Sequence, residues 1–127
     1  MSGRILVGSF INTRTMKQNN KQSLINLINE CAQACNNCAT ACLNEEDVQM
    51  LTSCIRLDVD CADICRTTAA FLERSSDNSD VVLSVCALIC DNCGDECEKH
   101  SHMKHCKICA EVCRQCAESC RQTEGML

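Results

Sequence analysis

An all-α fold, an antiparallel up-down-up-down four-helix bundle with a cysteine-lined core, is what this sequence predicts, and three observations carry the prediction. Its 127 residues contain no proline and only 4 glycines, so the usual helix breakers are nearly absent. Sixteen cysteines fall into four clusters, and within each cluster the spacing is three, four or seven residues, the period of one helix face. The breaks between clusters are short, and short connections make neighbouring helices antiparallel.

The first stripe is Cys31, Cys35, Cys38 and Cys42, extended upstream by Leu24 and Ile28, which predicts a helix over about 20 to 43. Asn44 before Glu45, Glu46 and Asp47 reads as an N-cap with acids in the first turn, favourable for the helix dipole. It starts a second helix over about 45 to 74, carrying Cys54, Cys61 and Cys65 with Thr68 and Leu72 beyond them. Ser75 to Ser79 is the middle break. A third helix, about 79 to 99, carries Cys86, Cys90, Cys93 and Cys97 behind Val82 or Leu83. Lys99 to Ser101 is the last break. The fourth helix, about 102 to 123, holds Cys106, Cys109, Cys113, Cys116 and Cys120. Residues 1–19 read as a flexible tail, with Met16 an alternative start, and 20–127 as the metal-binding domain.

The two halves repeat. Adding 55 to each cysteine from Cys31 through Cys65 lands on a cysteine, and CADICR at 61–66 pairs with CAESCR at 116–121. The chain is a duplicated helical hairpin. Cys106 corresponds to Leu51 and Cys113 to Asp58, so Asp58 occupies a stripe position. A buried acid without a charged partner is pushed towards its neutral form, and Asp58 reads as a structural polar spacer more readily than as a ligand.

Cysteine must form much of the core, because the 46% apolar fraction drops to about a third without it, low for a globular chain. Free buried cysteine packs as a small hydrophobe, so the stripes can hold a metal-free fold together while storing ligands. The net charge of −5, without a basic cluster or stacking aromatics, excludes a nucleic-acid surface. No apolar run approaches the roughly 20 residues that span a bilayer. Ile5 to Ile11 is short, interrupted by Gly8 and Ser9, and followed by no cleavage site, so it is a poor export signal. The expected compartment is therefore the cytoplasm, where thiols stay reduced.

Side chains at i and i+3 or i+4 lie about 5 to 6 Å apart at Cβ, too far for a disulfide but suitable for two sulfurs sharing a metal. Thiolates select Cu(I), zinc or iron–sulfur clusters over hard cations. Zinc wants closed tetrahedral sets, and the C-x-x-C pairs here sit inside unbroken stripes instead. Four facing stripes make a tube of sulfur about 16 Å long. Burying thiolates is costly, and about one Cu(I) per bridging thiolate brings the interior close to neutrality. The expectation is many Cu(I) ions, about one per cysteine, with a zinc or mixed-metal buffer and an iron–sulfur electron-transfer protein as alternatives. No nucleophile, base and orienting group form a triad, so the reading is not an enzyme.

Antiparallel helices would gather Met50, His100, His102, Met103 and His105 at one end, as exchangeable ligands for loading from a copper chaperone or small thiol. Four residues before Cys106 and three before it, His102 and Met103 are placed on the stripe, while His100 and His105 are weaker candidates and Met50 is expected to pack in the core. Leu24, Ile28, Phe71, Leu72, Val82 and Leu83 would close the other end as an apolar plug. Arg56, Arg66, Arg114 and Arg121 read as solvated faces or subunit contacts.

SCIRLDVDCADIC from Ser53 to Cys65 and CEKHSHMKHCKICAEVCRQCAESC from Cys97 to Cys120 resemble the cytosolic bacterial copper storage proteins. The resemblance covers all four helices, and it includes the histidines of the last loop and Asp58. It implies a homotetramer of four-helix bundles filled with thiolate-bound Cu(I). The stretch before about Asn20 has no counterpart in it.

Overall fold

The computed structural model describes residues 13–126, with side chains described from residue 18. Four helices follow one another: α1 Thr13–Leu43, α2 Thr52–Glu73, α3 Ser79–Glu98 and α4 Lys104–Thr123, with a single 3-10 turn, Val48–Leu51, leading into α2. Packing joins α1 to α2, α2 to α3, α3 to α4 and α4 back to α1, and no diagonal pair of backbones comes close. The expected bundle is therefore a ring of four, and its axis is left to side chains.

Two boundaries differ from the sequence reading. The first helix begins at Thr13 rather than near residue 20. Twelve of the nineteen residues read as a tail lie outside the described residues. Asn44 is no N-cap: its N–H bonds to the carbonyl of Ala41, and that of Glu45 to Cys42. Both residues thus finish α1. The α2 segment starts later, and its four-residue approach is the 3-10 turn.

The end of α2 has a physical signature. Ser76 donates its N–H to Phe71 and Ser75 to Leu72, the paired bonds of a Schellman turn, with Ser75 in the left-handed region at φ 52°. The Oγ of Ser75 accepts from Lys21 at 2.5 Å. A second close approach is at Gly94, where an added Cβ would stand 3.4 Å from Arg114 Cγ and 3.5 Å from Cys113 Cβ. Glycine there lets α3 and α4 draw together.

The apolar plug is present at the end formed by the start of α1, the end of α2 and the start of α3. Leu24, Ile28, Leu72 and Leu83 are buried there, joined by Ile25, while Phe71 and Val82 are only half-buried. Arg74 lies over the Phe71 ring at 4.5 Å from its centroid. Thr68 is fully buried in the same region, its hydroxyl donating to the Val82 carbonyl. On the outside, Arg114 pairs with Asp95 and Glu98 at 3.2 and 3.1 Å, and Arg121 with Asp91, all between α3 and α4. These are exposed pairs, screened by solvent, and add little to stability. Arg66 donates to Asn29 across α1 and α2. No described helix is long and apolar enough to cross a membrane.

Candidate metal centre

All sixteen cysteines are free and have no exposed surface. Helix periodicity places each stripe inward, and the ring of helices sets stripe against stripe. Between α1 and α4, Cys35 Sγ is 3.6 Å from Cys113 and 3.7 Å from Cys109, while Cys106 is 3.8 Å from both Cys38 and Cys42. Between α2 and α3, Cys54 meets Cys97 at 3.4 Å, Cys61 meets Cys90 at 3.5 Å, and Cys65 lies 3.8 Å from Cys86 and Cys90. The two walls touch across the axis, Cys61 to Cys113 at 4.0 Å. Within a helix, neighbours one turn apart stand at 3.9 to 4.0 Å, as in Cys86 and Cys90 or Cys93 and Cys97.

Sulfurs therefore gather in sets of four whose ligand atoms all lie within 4.8 Å of one another. Cys38, Cys42, Cys54 and Cys106 form one, Cys31, Cys35, Cys61 and Cys113 another, and Cys65, Cys86, Cys90 and Cys116 a third. The sets share members, since Cys31 and Cys61 recur with Cys65 and Cys90, and Cys35 and Cys113 with Cys93 and Cys109. A sulfur that belongs to two sets can bridge two metals, which is the geometry that thiolate clusters of a soft monovalent cation require.

Close packing of the sulfurs splits their protonation: hydrogen bonds from Cys38 and Cys97 pull Cys54 down to about 3, and neighbouring sulfurs likewise lower Cys31, Cys61, Cys86 and Cys109, while other thiols are raised. Burial, reinforced by the charge of Cys54, pushes the Cys42 thiol up to about 11, and burial likewise raises Cys106. Cys120 is raised first by hydrogen bonds to Cys116 and Cys86 and then by burial. Such thiols stay protonated near neutral pH and give up their protons only to a metal.

Asp58 is fully buried among the sulfurs. Its Oδ1 accepts from Cys93 at 3.2 Å, Cys109 at 3.3 Å and Cys97 at 3.4 Å, and Oδ2 lies 3.9 Å from Cys54. Burial first, then the charge of Cys109, raises its pKa from 3.8 to about 8. The protonated form expected for a buried acid is thus favoured up to about pH 8.

At the end opposite the plug, a recess of about 540 Å³ is lined by Glu45, Glu46, Asp47, Met50, His100, His102 and Met103. The five soft ligands named from sequence do not behave alike there. His102 is exposed and Met103 half-buried, both lying before the first residue of α4, so helical spacing to Cys106 does not govern them. Met50 is 73% exposed, not packed in the core. His100 is held by Glu96 on its own helix side of the recess, Nε2 to Oε2 at 3.1 Å, with both side chains largely buried. His105 is the one that meets the sulfurs: Nδ1 lies 3.5 Å from Cys106, 3.7 Å from Cys38 and 3.8 Å from Cys42. Its sequence signal was available, for it precedes Cys109 by four residues in the first turn of α4.

Comparison with known proteins agrees with this chemistry. The family described as Copper storage protein (Csp) matches residues 17–125. Among solved structures, a cytosolic copper storage protein from Streptomyces lividans carrying five coppers is 43% identical, with 89% of this chain and 98% of that chain covered and a TM-score of 0.84. The Cu(I)-bound copper storage protein BsCsp3 is 40% identical over 84% of this chain and 99% of its own, at a TM-score of 0.80. The cysteine-rich protein YhjQ of Bacillus subtilis (strain 168), itself uncharacterized, is 43% identical over 83 residues, 65% of this chain and 76% of that protein.

Proposed function

This chain belongs to the copper storage protein family, and on that footing we propose that it holds Cu(I) in the cytosol as cargo, about one ion per cysteine, and releases it through the His/Met end. The observation that carries the reading is the unbroken sulfur lining: sixteen wholly buried thiols, with facing stripes linked at 3.4 to 4.0 Å. Cys31, Cys35, Cys38, Cys42, Cys54, Cys61, Cys65, Cys86, Cys90, Cys93, Cys97, Cys106, Cys109, Cys113, Cys116 and Cys120 are the ligands. Each Cu(I) shared by bridging thiolates cancels about one negative charge, so the filled tube approaches neutrality and costs least to bury.

Loading starts in the recess, where His100, His102, Met103 and Met50 offer weak, exchangeable donors beside Glu45, Glu46 and Asp47. His105, already against Cys38, Cys42 and Cys106, passes the ion to the first sulfur set. The donor is a copper chaperone or a small thiol. Storage, not catalysis, is the role. A homotetramer is the assembly the family resemblance implies, and Val81, Val85 and Leu88 leave an apolar strip exposed on α3 that a neighbouring subunit would cover.

An anaerobic Cu(I) titration of the reduced chain against a competing chelator tests the reading. Uptake is expected to continue to about sixteen equivalents, with loss of thiol reactivity in step. Saturation at one or two equivalents would overturn it.

A further inference from the structure

Cys54 and Cys97 make the shortest sulfur–sulfur approach among the described residues, Sγ to Sγ at 3.4 Å. Cys54 lies in the first turn of α2 and Cys97 in the last turn of α3, so the pair sits at the open end of the tube. Met50, four residues before Cys54, and His100, three after Cys97, both line the recess outside it. The His100 N–H donates to the Cys97 carbonyl at 3.0 Å, which ties the recess wall to the thiol's own backbone. Neighbours one turn apart in a helix stand further off, at 3.9 to 4.0 Å, and the pair Cys61 and Cys90, at 3.5 Å, lies deeper in the tube.

The recess and the tube suit copper in different oxidation states. Two imidazoles, His100 and His102, and three carboxylates, Glu45, Glu46 and Asp47, offer the nitrogen and oxygen donors that Cu(II) takes, whereas the tube wall offers the sulfur that Cu(I) takes. Copper that enters as Cu(II) needs an electron at the boundary between them, and that boundary holds a dithiol. A cupric ion accepts one electron, and a lone thiol that supplied it would be left a radical. A second sulfur at 3.4 Å shares the odd electron and closes the S–S bond when a second cupric ion removes it.

We propose that Cys54 and Cys97 reduce copper arriving as Cu(II) and form a disulfide between α2 and α3. Two thiols and two Cu(II) ions give one disulfide, two Cu(I) ions and two protons. Each sulfur is oxidised by one electron, each copper is reduced by one, and the protons go to solvent. The sulfurs close from 3.4 Å to about 2.0 Å. The Cu(I) formed moves to Cys38, Cys42 and Cys106, the other members of the Cys54 set, which stand 3.8 to 4.0 Å from one another. A small thiol restores the pair by exchange, two equivalents leaving as their own disulfide, so both ligands are recovered for storage. The inference rests on the storage reading only for where the product goes.

The test adds Cu(II) to the reduced, metal-free full chain under anaerobic conditions and follows the paramagnetic resonance signal of the ion. Disulfides are located by peptide mapping after the free thiols are alkylated. The signal is expected to vanish, with one Cys54–Cys97 disulfide formed for every two Cu(II) and the copper recovered as Cu(I) by a chromogenic chelator. Cys54→Ser is expected to slow the first phase of signal loss by roughly tenfold or more. Disulfides scattered over other cysteines would overturn the proposal, as would an unchanged rate in the folded variant or a Cu(II) signal that persists while all sixteen thiols stay free. The wild-type map decides even where the variant does not fold. Full Cu(I) uptake beside an intact Cu(II) signal would remove this inference and leave storage standing. Reduction at Cys54 and Cys97 with Cu(I) uptake of only one or two equivalents would do the reverse.

Discussion

A carboxyl group enclosed by thiols sets the behaviour of the metal-free chain with pH. The pKa of Asp58 moves from 3.8 to about 8 on folding, because burial and the nearby Cys109 disfavour its charge. Between those values the folded state binds the proton and the unfolded state does not. Stability from this group is therefore complete below about pH 4 and is lost as pH rises through about 8, a change on the order of a few kcal/mol. Urea unfolding of the reduced apoprotein across this interval is expected to show the decline, and Asp58→Asn to remove it. A slope identical in the two proteins would contradict the assignment. The histidines teach the reverse lesson about legibility. His102 and His105 stand at the same spacing before a cysteine, and only the start of α4 at Lys104 decides which lies on the helix. Nothing in composition marks that start, since no side-chain cap accompanies Met103.

At the level of the helices, cysteine spacing was enough to locate every stripe, because a buried face must repeat every three or four residues. The ends were legible only where chemistry punctuates them. Residues 13–19 carry no apolar face to read, so the upstream part of α1 was invisible in the pattern. Glu45, Glu46 and Asp47 imitated a helix start while the backbone was still closing α1 through Asn44 and Glu45. The α2 terminus offers a sharper expectation. Ser75 holds a left-handed conformation that costs an L-residue about 1 kcal/mol, and glycine adopts it freely. Ser75→Gly is expected to raise apoprotein stability by about 0.5 to 1 kcal/mol, the small loss of the Lys21 contact included. Chemical denaturation midpoints at constant slope are the measure. Destabilisation would show that the Lys21 bond outweighs the backbone.

Taken as a whole, the molecule would invert the usual division between core and site: the residues that exclude water are the ones proposed as metal ligands. Folding and filling are consequently linked through protons. Cys42 is held near 11 and Cys106 and Cys120 are raised, so these thiols reach the metal carrying hydrogen. Full loading at neutral pH is expected to release about one proton per thiol held protonated, fewer than one per cysteine because neighbouring sulfurs lower Cys31, Cys54, Cys61, Cys86 and Cys109, and apparent copper affinity to climb with pH. Proton counting in weak buffer during the titration checks both. Release of only a few protons at saturation would mean that most thiols were already ionised.

The plug of Leu24, Ile25, Ile28, Leu72 and Leu83 closes one end with side chains that no soft cation can use. With the proposed entry at the opposite end, a vessel stoppered in this way would keep a memory of sequence: what arrived first would be pressed deepest and depart last. A chain part-filled with one copper isotope and topped up with another would hand back the second before the first, so that old and new copper never fully mix.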